Sequence, residues 1–219
     1  MRNVPFPRRR MLEVSLAGAA ALGLPGFLRA VAGEALMPTP QQTPGPFYPL
    51  SYPDDSDNDL VHVAGHAAPA KGTTTRVAGR ILDRAGRPIS GARVEIWQCD
   101  DNGRYHNVQD GGGERPRDDN FQGFGRTVTG EAGGYSFVTI RPVPYPGRTP
   151  HIHFAVAAPG LPRFVTQMYV AGETLNDTDS VLLGVHDPAA RARLIVPLRP
   201  APEIGREALA ASFDIVLGG

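Results

Sequence analysis

The chain has 219 residues, enough for one domain with a sizeable core plus a leader. Lys+Arg and Asp+Glu are both 22, so formal neutrality argues against a nucleic-acid binder that needs a basic footprint. Cys99 is the only cysteine, which excludes an internal disulfide, so stability has to come from the core or from a bound metal.

Residues 1–32 differ in kind from the rest. Consecutive arginines precede a mostly apolar stretch, Val14 to Leu28, and Ala30-Val31-Ala32 has the A-x-A pattern of a cleavage site. This reads as an export signal, and Arg8-Arg9-x-Met11-Leu12 resembles a twin-arginine signal, which carries folded proteins to the periplasm or outside. An N-terminal anchor is disfavoured by Gly23, Pro25 and Gly26, so no stable membrane span is expected in the mature form. Cleavage after Ala32 removes five Arg and one Glu, leaving 17 basic and 21 acidic side chains and a formal charge of −4. A homo-oligomer is compatible with that balance.

Residues 33–219 form the expected single domain. Within it, 33–75 are rich in Pro, Asp, Gly and Thr, and "QQTPGPFYPLSYPDDSDND" predicts an extended arm packing through Phe47 and Tyr48. From 76 to 219, short apolar runs alternate with turn signals, which predicts an all-β fold, an antiparallel β-sandwich. The strands are "RVAGRIL", "ARVEIWQC", "GYSFVTI", "HIHFAVAA", "FVTQMYV", "ARLIVPL" and "SFDIVL"; "DPAARARLI" could supply one short helix. In "HIHFAVAA", Ile152, Phe154 and Val156 share the core face, whereas His151 and His153 share the other.

An H-x-H on a strand aims both imidazoles the same way, so both can reach one cation. Taken alone it fits hydrogen-bonded histidines equally well. No acidic residue follows the pair until Glu173, and Cys99 has no Cys partner, which leaves oxygen ligands of another kind. Tyr145, in "PVPYPGR", is flanked by Pro144 and Pro146, and Tyr105, in "DNGRYHN", follows a strand and turn. Either reads as a packing tyrosine by itself. Two phenols and two imidazoles suit a ferric ion, whose charge ionises a phenol that titrates near 10 in water. Trp97 and Tyr135 read as packing residues, and His62, His66, His106 and His186 as loop histidines.

The ordered segments "TPGPFYP", "VEIWQCDDNGRY", "DDNFQGFGRTVTGEAGGYSF", "PVPYPGRTPHIHF" and "VTQMYV" resemble the intradiol ring-cleavage dioxygenases, the protocatechuate 3,4-dioxygenase and catechol 1,2-dioxygenase group. The resemblance covers nearly the whole chain beyond residue 32. It implies that Tyr105, Tyr145, His151 and His153 ligate a non-haem Fe(III), with Tyr145 leaving when a catecholic substrate chelates the metal. It further implies that Arg148 lies over the bound ring, that Gln167 sits just behind the ligands, and that O2 is the co-substrate. The ring would open between its hydroxylated carbons to a cis,cis-muconate-type diacid. Two departures stand out. Only five residues separate Tyr145 from His151, fewer than in the best-known members, and the long helical N-terminal region of catechol 1,2-dioxygenases is missing. A competing reading is a non-catalytic sandwich module of the kind that accompanies carboxypeptidases, which would not need Tyr145, His151 and His153 together.

Overall fold

The computed structural model describes residues 35–106, 110 and 114–218; the export signal expected at 1–32 lies outside them. Among the described residues ten strands run in chain order: β1 (Thr74–Leu82), β2 (Arg93–Trp97), β3 (Phe124–Val128), β4 (Gly134–Ile140), β5 (His151–Ala157), β6 (Phe164–Val170), β7 (Ile195–Val196), β8 (Arg199–Pro200), β9 (Leu209–Ser212) and β10 (Ile215–Val216). Two short helices, α1 (Ser180–Leu183) and α2 (Pro188–Ala192), lie between β6 and β7. Among the described residues no helix is long and apolar enough to cross a membrane.

The strands make two five-stranded sheets. In one, β4 and β9 flank β1, β10 continues the β9 side, and β8 pairs with β9; in the other the order is β3-β2-β5-β6-β7. Residues from both sheets share one hydrophobic core: Val77 and Ile81 of β1, Phe137 of β4, Ile96 of β2, and Ile152, Phe154 and Val156 of β5. Phe154 packs against Tyr135 and Phe213 of the opposite sheet, with ring centroids 6.0 and 5.2 Å away. Full burial of each such side chain contributes about 1.5–3 kcal/mol.

The all-β expectation holds, but the purely antiparallel one does not. β9 and β10 run parallel to β1, and β7 runs parallel to β6. The reason is the connection: parallel neighbours need a crossover rather than a hairpin. Between β6 and β7 the crossover is a segment of 24 residues, Ala171 to Leu194, holding a 3-10 turn (Thr174–Asp177) with α1 and α2. The predicted short helix is α2, capped by the Asp187 carboxylate accepting from Ala189 N, with Pro188 at its first turn. β3 and α1 escaped the pattern reading because "FGRTV" and "SVLL" are too short to show a period.

Tyr135 reaches over Gly79 of the neighbouring β1, and its hydroxyl donates to the Phe213 carbonyl. That carbonyl lies over Gly79, where a Cβ would come within 2.0 Å of its oxygen. Gly79→Ala is therefore expected to destabilise the fold by at least about 2 kcal/mol through overpacking. Gly134→Ala, at a position with nothing within 4 Å, should stay within about 0.5 kcal/mol of the parent. Urea midpoints of the two variants check the contrast.

Candidate metal centre

β5 is buried on both faces. Its core face carries Ile152 and Phe154; its other face carries His151 and His153, roofed by the arm. The register places Trp97 of β2, His153 of β5 and Gln167 of β6 in one row across the sheet. Trp97 stacks on His153 at 4.8 Å and 6° between planes, so it packs, as expected, but against a site histidine. The arm is tied down by Gln42 N–H to Val165 O (2.9 Å), Thr166 Oγ1 to Pro40 O (2.8 Å) and Gln167 Nε2 to Thr43 O (3.0 Å). Gly45, at φ +65°, then turns the chain over His153 and delivers Phe47, which stacks on Tyr105 at 4.5 Å. Glu95, buried on the same face of β2 as Trp97, accepts from Tyr48 and Tyr52 of the arm and from Arg93 and Arg163.

Tyr105 enters from the loop after β2. That loop winds about the buried Asp100, whose Oδ1 accepts from Asn102 and Arg104 N–H (both 2.9 Å) and whose Oδ2 accepts from Asp118 N–H (2.8 Å). Tyr105 N–H donates to Asp110 Oδ2 at 2.6 Å. Tyr145 comes from the loop between β4 and β5, where Arg148 N–H donates back to Tyr145 O at 2.9 Å.

The four side chains singled out from the sequence converge. His151 Nε2 lies 3.1 Å from His153 Nε2. The Tyr145 ring is 5.4 Å from His151 and 5.5 Å from Tyr105, and Tyr105 is 6.3 Å from His153. His151 Nδ1 donates to Thr149 O at 2.6 Å, which leaves its Nε2 lone pair facing the cluster. The Tyr105 hydroxyl is buried and interacts with the Tyr145 hydroxyl. Burial holds His151 neutral, its pKa lowered to about 3 with help from Arg148, and lowers His153 for the same reason. Burial raises both phenols, with Arg148 opposing the rise, so both stay protonated until a cation joins them. Among the described residues no group of three or more His, Cys, Asp or Glu side chains is placed to hold a metal ion. Two neutral imidazoles and two phenols fit a hard trivalent cation.

Arg148 and Gln167 join the same cluster. Arg148 donates from Nη2 to Gln167 Oε1 (2.6 Å) and Tyr169 Oη (3.4 Å), from Nη1 to Tyr145 Oη (3.3 Å) and from Nε to Asp179 Oδ2 (2.8 Å). The reading of the sequence missed Asp179, Tyr169 and Thr149, and gave Trp97 no place beside the site histidines. The remaining histidines lie apart: His62 meets Asp59, His66 meets Asn120, His106 faces Asp100, and His186 is exposed. Cys99 is free and buried, its thiol pushed up to about 12 by burial and by Asp100. A cavity of about 820 Å³ borders Phe47, Trp97 and Tyr105 but not His151, His153 or Arg148, so the centre is defined by converging donor atoms rather than by that hollow.

The family model described as "Dioxygenase" matches residues 44–219. The chain is 39% identical over 172 residues to the protocatechuate 3,4-dioxygenase beta chain of Burkholderia cepacia, covering 74% of this chain and 72% of that protein. The chain belongs to the intradiol ring-cleavage dioxygenases. Hydroxyquinol 1,2-dioxygenase of Nocardioides simplex is 35% identical over 196 residues, but the chain spans only 62% of that enzyme. Among solved structures, the dioxygenase domain of a dioxygenase carbohydrate-binding protein fusion from Streptomyces sp. SirexAA-E has a TM-score of 0.64 at 32% identity, covering 83% of this chain and 99% of that one. The intradiol dioxygenase of Tetranychus urticae, at 23% identity and TM-score 0.66, shares the fold. Membership of this family removes the ground for the binding-module reading.

Asp100 is the post on which the Tyr105 loop turns. Asp100→Ala would strand three amide N–H groups and is expected to cost at least about 2 kcal/mol, measured by denaturant unfolding.

Proposed function

We propose that the chain binds Fe(III) through Tyr105, Tyr145, His151 and His153 and uses O2 to cleave a catecholic ring between its hydroxylated carbons, giving a cis,cis-muconate-type diacid. The convergence of two imidazole Nε2 atoms with two phenols carries this reading. When bound, the ferric ion supplies the Lewis acidity that makes a chelated catecholate reactive toward O2.

The protein's own groups do the rest. Tyr145, half-buried and less enclosed than Tyr105, would be the more yielding of the two phenols holding the ion, and its Oη would be placed to take up a catechol proton. Arg148 Nη1, already aimed at Tyr145 Oη, then faces whatever negative charge replaces that oxygen, and stabilises charge developing on the ring. Gln167 holds Arg148 at Nη2 while its own amide is held by Thr43 of the arm. Phe47 and Trp97 keep water from Tyr105 and His153. The two sheets sharing one core support the sandwich reading. We also propose that residues 1–32 direct export of the folded protein, since the arginine pair, the apolar stretch and the A-x-A site stand in the right order.

Tyr105→Phe and His153→Ala are each expected to reduce iron bound per chain at least tenfold, read by metal analysis. Full iron and full turnover in both would overturn the ligand assignment. Arg148→Ala should keep its iron yet lose turnover by about 10²–10³-fold, measured as catechol consumed and diacid formed; wild-type rates would refute its role.

A further inference from the structure

Asp179 carries a charge that its local structure does not require. Its carboxylate is fully buried in the crossover between β6 and β7, immediately before α1. One oxygen, Oδ1, caps that helix by accepting from Val181 N–H (3.0 Å) and Leu182 N–H (2.9 Å). A four-residue helix needs no anion for this, because Asn or Ser caps as well and a cap is worth only about 1 kcal/mol. Burying a carboxylate costs several kcal/mol unless a partner offsets it.

The other oxygen supplies the explanation. Oδ2 accepts from Arg148 Nε at 2.8 Å and from Thr149 N–H at 3.0 Å. Burial opposes the charge on Asp179, yet the N–H donors of Leu182 and Thr149 and the guanidinium hold its pKa below the ordinary carboxylate value. The guanidinium is a rigid planar fork. With Nε tied to Asp179 and Nη2 tied to Gln167 and Tyr169, its plane is set and Nη1 can point only toward Tyr145 Oη. The same oxygen reaches a second arm of the centre, because Thr149 O accepts from His151 Nδ1. Asn176 completes the brace, pairing through Oδ1 with the Thr149 hydroxyl and donating from Nδ2 to Val170 O, both at 2.8 Å.

We propose that Asp179 is a positioning residue for ring cleavage: from the crossover it fixes the plane of Arg148 so that Nη1 faces the oxygen position held by Tyr145. This rests on the role of Arg148 given under the proposed function. The discriminating variant is Asp179→Asn, which retains a capping oxygen for α1 but turns an NH2 group toward Arg148 Nε and Thr149 N.

The experiment is a double-mutant cycle with Arg148→Ala, read in the iron-loaded enzyme as kcat and KM for catechol and in 15N-labelled metal-free protein as the Arg148 Nε–H resonance. Asp179→Asn is expected to lower kcat by about 10²-fold with KM within about threefold, and to change kcat less than twofold when Arg148 is already Ala. In the metal-free protein, the exchange-protected Nε–H peak, assigned by its loss in Arg148→Ala, should disappear in Asp179→Asn. An unchanged peak, a wild-type kcat, or the same fold-loss in both Arg148 backgrounds would overturn the proposal. If the parent protein turns over no catechol, the proposed reaction has failed, and the metal-free resonance alone decides whether Asp179 sets the fork.

Discussion

The constraint on which the structure depends is the meeting of two buried imidazoles, their Nε2 atoms 3.1 Å apart on the outer face of β5. Neither ring sees water, and burial keeps both neutral. A carbonyl at Thr149 fixes one ring and the face of Trp97 fixes the other. Strand geometry supplies the common direction, since residues two apart share a face. The price is a sheet face that cannot be left open, and the N-terminal arm closes it with Phe47 and Tyr48.

The centre is assembled from distant pieces of chain. The loop wound about Asp100 brings Tyr105, the proline-flanked turn brings Tyr145, and the crossover after β6 brings Asp179 behind Arg148. Each piece is fixed by hydrogen bonds to backbone amides rather than by apolar packing alone. Such bonds set direction as well as distance, which a site needs when two phenols, two imidazoles and a guanidinium must point at one place. The half-buried arginine and the buried aspartate add no net charge, so the fork can be held in place without an uncompensated ion in the interior.

Much of this is legible in the chain. Alternation in "HIHFAVAA" separates a core face from an imidazole face because both signals repeat every second residue within one strand. The two tyrosines are suggested by their loops and linked to the histidines by family resemblance. Asp179 leaves no such mark: it lies 31 residues from Arg148 in "NDTDSVLL", a stretch with two acidic residues of which only the fold selects one. The parallel strands were equally hidden, because direction is decided by the path of the crossover, which local alternation does not encode. Trp97 reads as core from its strand, and only the pairing of β2 with β5 puts it against His153.

The most direct test is the visible absorption spectrum of the purified, iron-loaded protein, recorded before and after anaerobic addition of catechol or protocatechuate. Two phenolate ligands on Fe(III) predict a broad tyrosinate-to-iron band that shifts when substrate binds and Tyr145 leaves. A protein that remains colourless after iron reconstitution would contradict the ferric His2Tyr2 centre.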